Sequence, residues 1–189
     1  MNTAANTIEK SVTEMLVWNG QIKVHTTIAG KGPNLVFFHP AAGLIWDPFM
    51  DDLASRFRVH AIQLPGTVAS DPYEIHKIEN FSELLLIYHE VITQLGLEGA
   101  LAMGHSLGGM TVLDLAAHFP KLFSKIIAIA PAGLWDADCP VMIPDLYKAP
   151  PEQQAKFLFH DLTCPAVQKM AELPEDIDER AKEIAIRVW

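Results

Sequence analysis

Gly104-His105-Ser106-Leu107-Gly108 sets a serine between two glycines at the Gly-x-Ser-x-Gly spacing, which permits a sharp turn with the hydroxyl at its tip. The chemistry open to such a hydroxyl is attack on an acyl carbon, giving a covalent intermediate that water later releases. Composition alone produces this pattern in about 5% of chains of this length, so its flanks decide how much it means. Ala100 to Met103 before it is a short apolar, strand-like run. Leu107 to Phe119 after it has helical spacing and is ended by Pro120. A strand, a turn and a helix in that order lift Ser106 to a helix N-terminus. There the Leu107 N–H and the positive end of the helix dipole can stabilise an oxyanion. The competing reading is a Gly-rich turn with no chemistry.

The elements needed to hold that turn are legible on either side of it. Met15 to Trp18 and Gln21 to Ala29 read as a hairpin about Asn19-Gly20, because Asn-Gly supplies the positive φ angles of tight turns. Leu35 to Phe38 is an apolar strand, Asp47 to Phe57 a helix, and Arg58 to Leu64 a strand ended by Pro65-Gly66. Phe81, Leu84, Leu85, Tyr88, Ile92 and Leu95 follow the 3.6-residue period, with Asn80 and Glu83 placed as a capping-box pair. Lys125 to Ala130 is a further apolar, β-branched strand. Apolar strands alternating with helices predict a mostly parallel α/β sheet covered on both faces. After Pro131 prolines divide the chain into short pieces, of which Pro151 to Phe159 and Asp178 to Trp189 read as helical. The expected division is a core at residues 1–131 and a helical segment at 132–189.

With 189 residues, half of them apolar, the chain can bury a sizeable core. A formal charge of -9 argues against a nucleic-acid footprint and offers no basic patch to anionic lipid. No apolar run approaches the roughly 18 residues of a membrane span, and no secretory signal is read at the N-terminus. Cys139 and Cys164 have no metal-ligand spacing and are expected as reduced thiols. The expectation is a cytoplasmic protein without cofactor or metal, acting on a small molecule.

With these residues in view the chain resembles the α/β-hydrolase family, from the first hairpin to Trp189. His39-Pro40-Ala41-Ala42-Gly43 follows the third strand, where members of the family carry His-Gly and small residues. The resemblance makes Ser106 the catalytic nucleophile and assigns the oxyanion-hole N–H groups to Leu107 and Ala41. Pro40 departs from the usual glycine; it donates no hydrogen bond, but Ala41 still can. Gln63-Leu64-Pro65-Gly66 is similar to the family's turn after the fourth strand, and to thioesterases as much as to esterases. Ala130 to Trp135 and Leu158 to Asp161 are similar to parts of the helical cap that covers the acyl pocket in many small-molecule hydrolases.

In the family the acid and the histidine of the catalytic triad follow the seventh and eighth strands, and neither is found at its family position here. The resemblance thus implies six strands of the sheet and a partial cap, with strands seven and eight missing. Asp136 and Asp138 stand where a minority of relatives place the acid, and His160 is a weak substitute for the base. His105 is expected to point away from the reacting atom, and His39 to order its loop through hydrogen bonds. The expected function is cleavage of ester-like bonds through an acyl-enzyme at Ser106. Thioesterase and carbon–carbon bond hydrolase chemistry use the same nucleophile, whereas dehalogenases and epoxide hydrolases carry Asp in its place. The rivals are a fragment or curtailed reading frame, a ligand-binding protein that keeps the pocket without turnover, and an assembly completed by a second chain. Ile126 to Ala130 is expected to form a bare sheet edge prone to self-association.

Overall fold

A computed structural model describes residues 8–68, 71–134, 136–138 and 151–164. Its centre is a six-stranded sheet in the order β1-β2-β4-β3-β5-β6. β1 (Lys10–Val17) and β2 (Ile22–Ala29) form the expected antiparallel hairpin. Two details differ from the sequence reading. The connection is a four-residue loop closing on the Val17↔Ile22 pair, with Trp18, Asn19 and Gly20 all at positive φ. β1 also begins at Lys10 rather than Met15, because Lys10 to Glu14 pair in register with Ala29 to His25. Those residues lie on the sheet margin with mostly exposed side chains, so they carry no apolar pattern to betray a strand.

β3 (Asn34–Phe38), β4 (Arg58–Ile62), β5 (Ala100–His105) and β6 (Phe123–Ile129) run parallel, and β2 joins β4 antiparallel. The pleat divides each central strand between two cores. Val36, Phe38 and Ile62 face a core shared with α2 (Phe81–Gln94) and α3 (Leu107–His118), whereas Leu35, Phe37, Val59 and Ala61 face α1 (Pro48–Arg56). Phe38 meets Tyr88 edge-on, with centroids 5.1 Å apart at 63°, an arrangement that adds about 1 kcal/mol beyond the area it buries.

The caps explain where the helices begin. Asp47 accepts from the Met50 N–H with Pro48 in the first turn, so α1 starts on a satisfied donor and a preset φ. Asn80 accepts from the Glu83 N–H as the capping pair requires. The Glu83 carboxylate reaches back one residue further than expected, to the Glu79 N–H at 2.8 Å. Between β4 and α2 lies a 3₁₀ turn, Glu74–Lys77, absent from the sequence reading. Its neighbourhood is tied to the hairpin by His25 and Lys23 on Asp71, at 2.6 and 3.1 Å, and by the Lys23 N–H on Glu74.

β6 ends the sheet, and Ile126, Ile127 and Ile129 on it remain 37%, 52% and 36% exposed. The strand starts at Phe123, two residues earlier than its apolar run, where a register shift beside Ala100 and Leu101 breaks the ladder. α4 (Pro151–Leu158) forms within one residue of its expected span. The rest of 132–189, including Asp178 to Trp189 and Cys139, lies largely outside the described residues, while Cys164 is a free thiol. Among the described residues no helix is long and apolar enough to cross a membrane, and no group of three or more acidic, histidine or cysteine side chains is placed to hold a metal.

Candidate active site

The strand order locates a crevice before any side chain is considered. β3 connects through α1 to β4 on one side, and β5 connects through α3 to β6 on the other. Neighbouring parallel strands whose onward connections diverge leave a gap at their carboxyl ends, and in open α/β sheets ligands bind there. The residues at those two ends are Phe38-His39 and His105-Ser106.

Ser106 is held in a conformation that few side chains adopt, with φ 56° and ψ −115°. The cost of such backbone is about 1–3 kcal/mol, and surrounding bonds impose it. The Ser106 N–H donates to Ile129 O at 2.9 Å, and Ser106 O accepts from Met110 and Ala132 N–H at 3.0 and 3.1 Å. β6 is thus stitched to the turn just before Ala130, itself at positive φ. The serine side chain does not cap α3, so its hydroxyl is not spent on the helix whose N-terminus it occupies.

Glycine is required on both sides for a steric reason. A Cβ on Gly104 would overlap the Gly108 carbonyl, and one on Gly108 would overlap the Phe38 carbonyl and sit 2.8 Å from that of His39. The first turn of α3 therefore lies directly against the end of β3, beside the loop that carries Ala41. Leu107 is buried beneath it and Ala41 is half-buried against the same core. The structure thus brings the surroundings of Ser106, Leu107 and Ala41 to one end of the sheet.

His39 is 4% exposed and uses both ring nitrogens. Nδ1–H donates to Pro40 O at 2.6 Å, and Nε2 accepts from the Leu64 N–H at 2.8 Å. Burial pulls its pKa down to about 4, with the Pro40 bond opposing, so the ring is neutral at ordinary pH. That matches the loop-ordering part expected of it.

No histidine is hydrogen-bonded to the Ser106 hydroxyl among the described residues. His105 is exposed, as is His160, two residues past the end of α4, and His118 donates to Asp114 O at the end of α3. Asp136 and Asp138 are exposed loop residues, with the Asp138 N–H on the Asp136 carboxylate at 2.9 Å. A carboxylate–imidazole couple that the sequence reading missed, His25 with Asp71, does lie at this end of the sheet. No local pattern could have found it, since 46 residues separate the partners. β2 is three strand spacings from β5, about 14 Å, too far for His25 to take a proton from Ser106.

A family profile described as alpha/beta hydrolase fold matches residues 33–173. The pimeloyl-[acyl-carrier protein] methyl ester esterase of Vibrio campbellii is 31% identical over 119 residues, covering 62% of this chain and 44% of that protein. The enzyme of the same name from Nitrosomonas europaea is 30% identical over 122 residues, covering 62% and 45%. The chain therefore spans less than half the length of these curated relatives. Among solved structures, naproxen esterase from Bacillus subtilis superposes with a TM-score of 0.68 at 16% identity, over 96% of this chain and 62% of its own. A 2-hydroxy-6-oxo-6-phenylhexa-2,4-dienoate hydrolase from Rhodococcus does so with a TM-score of 0.67 at 22% identity, over 95% and 69%. At such identities the superpositions speak for the fold alone. The matched profile, the strand order and the strained serine turn agree, and the chain belongs to the α/β-hydrolase fold family.

Proposed function

We propose that the chain carries the nucleophile half of an ester hydrolase, with Ser106 attacking the acyl carbon and the N–H groups of Leu107 and Ala41 receiving the oxyanion. The observation that carries this reading is the backbone of Ser106 at φ 56°, ψ −115°, strained onto the N-terminus of α3 with a side chain that makes no capping hydrogen bond. A turn that costs free energy and serves no capping purpose is accounted for by the chemistry it permits. The esterase names of the curated relatives support the bond type.

In this reading the Ser106 oxygen forms a bond to the carbonyl carbon while the carbonyl π pair moves onto oxygen. That oxygen gathers charge between the two N–H donors and the positive end of α3. Collapse expels the alcohol and leaves an acyl-serine, which water cleaves through the same oxyanion. The proton of Ser106 needs an acceptor, and among the described residues none is hydrogen-bonded to it.

The test is a fluorophosphonate label beside a p-nitrophenyl ester burst assay, comparing the chain with Ser106→Ala. Labelling and burst that vanish in the variant support the proposal. Absence of both in the parent chain would replace it with a pocket that binds without turnover.

A further inference from the structure

We infer that His39 is a positioning residue for the oxyanion site: its imidazole, bridging the loops after β3 and β4, fixes the direction in which the Ala41 N–H points. The inference rests on the oxyanion reading above for its purpose, but its geometry stands apart from it.

Pro40 O and the Ala41 N–H belong to one peptide unit, and no described peptide bond is cis. In a planar trans unit the C=O and N–H vectors are opposed, so whatever holds the oxygen also aims the hydrogen. Two donors hold the oxygen: His39 Nδ1–H at 2.6 Å and the Gly43 N–H at 3.0 Å. Both pull it into the loop, which turns the Ala41 N–H outward. Pro40 sharpens the effect, since its ring restricts φ and removes one competing N–H from the segment.

The far side of the ring makes this more than a local turn. Nε2 accepts from the Leu64 N–H, 25 residues away, so the imidazole is pinned from the loop after β4 while it pins Pro40. The same two loops touch again where Thr67 lies 3.7 Å from the Cβ position of Gly43. Only one ring form serves both contacts, the neutral Nδ1–H tautomer. The Nε2–H tautomer or a protonated ring would set N–H against N–H at Leu64. The depressed pKa of about 4 is consistent with that demand. A merely space-filling role would be met by any apolar ring of similar size and would leave both polar contacts unexplained.

The experiment uses the ¹⁵N-labelled chain and its His39→Phe and His39→Gln variants, with Ser106 intact. Long-range ¹H–¹⁵N correlation reads the ring tautomer in the parent, and the residual dipolar coupling of the Ala41 amide reads its direction. The expected result is an Nδ1–H ring, an Ala41 coupling that changes in His39→Phe, and at least partial restoration in His39→Gln, which can still donate and accept. Fluorophosphonate labelling of Ser106 should slow at least tenfold in His39→Phe, with recovery in His39→Gln. An Nε2–H ring in the parent overturns the inference without any variant, so a variant that fails to fold does not protect it. An unmoved Ala41 coupling in a folded His39→Phe overturns it equally. A parent that never labels, yet shows the expected tautomer and couplings, overturns the Ser106 reading and leaves the aiming of Ala41 in place.

Discussion

Gly108 packs so tightly beneath Phe38 that no Cβ fits between its Cα and the Phe38 carbonyl oxygen. This contact joins the helix behind the candidate nucleophile to the strand that leads into the Ala41 loop. The relative placement of the two halves of the candidate oxyanion site passes through it.

Gly108→Ala should therefore separate those halves. The obstacle is backbone on a central strand, which has little room to yield, so a loss of about 3 kcal/mol is expected. Gly96→Ala is the control, because a Cβ there meets nothing within 4 Å and only the cost of φ +63° remains, about 1 kcal/mol. Urea unfolding of the two variants should rank them in that order. Equal losses would mean that the close approach relaxes freely.

Ser106→Gly should stabilise the protein while abolishing its labelling. Glycine accepts φ 56° without the Cβ penalty, and the serine side chain forms no cap that would be lost. A gain of about 1 kcal/mol in urea is expected. A neutral or destabilised variant would show that the turn is not strained at this residue.

Stability should fall on acidification through the window between His39's unfolded and folded pKa values. The folded ring resists protonation until about pH 4, whereas the unfolded one takes up a proton near 6.5. The unfolded state therefore binds more protons between these values, and the native state loses ground as pH falls through them. The full effect for His39 approaches about 3 kcal/mol. His60, whose pKa burial and the Arg58 charge also lower to about 4, acts in the same direction. Urea midpoints at pH 7, 5.5 and 4 measure the slope, which His39→Gln should flatten.

At the margin of the sheet, the exposed isoleucines of β6 should drive association that rises with concentration, since an apolar strand at an edge is a template for pairing. Ile127→Lys, at the most exposed of them, should shift sedimentation toward monomer. Identical sedimentation would show that this edge is not the site of association.

The sequence by itself determined the local elements and singled out Ser106 as the candidate nucleophile. Gly-x-Ser-x-Gly between an apolar strand and a helix, the cap at Asn80, and the apolar period of Phe81 to Leu95 depend on neighbours within about four positions, where side chains and backbone interact whatever the fold. For the same reason the exposed front of β1 was invisible, since Lys10 to Glu14 become strand only through pairing with β2. Tertiary structure alone decided the order β4-β3-β5, which sets Ser106 where the connections leaving β3 and β5 diverge. It decided the hydrogen bond that brings Leu64 to His39, and the couple His25–Asp71 at the same end of the sheet. These relationships join residues tens of positions apart, and the packing of helices against both sheet faces selects among pairings that local preference leaves equal in energy.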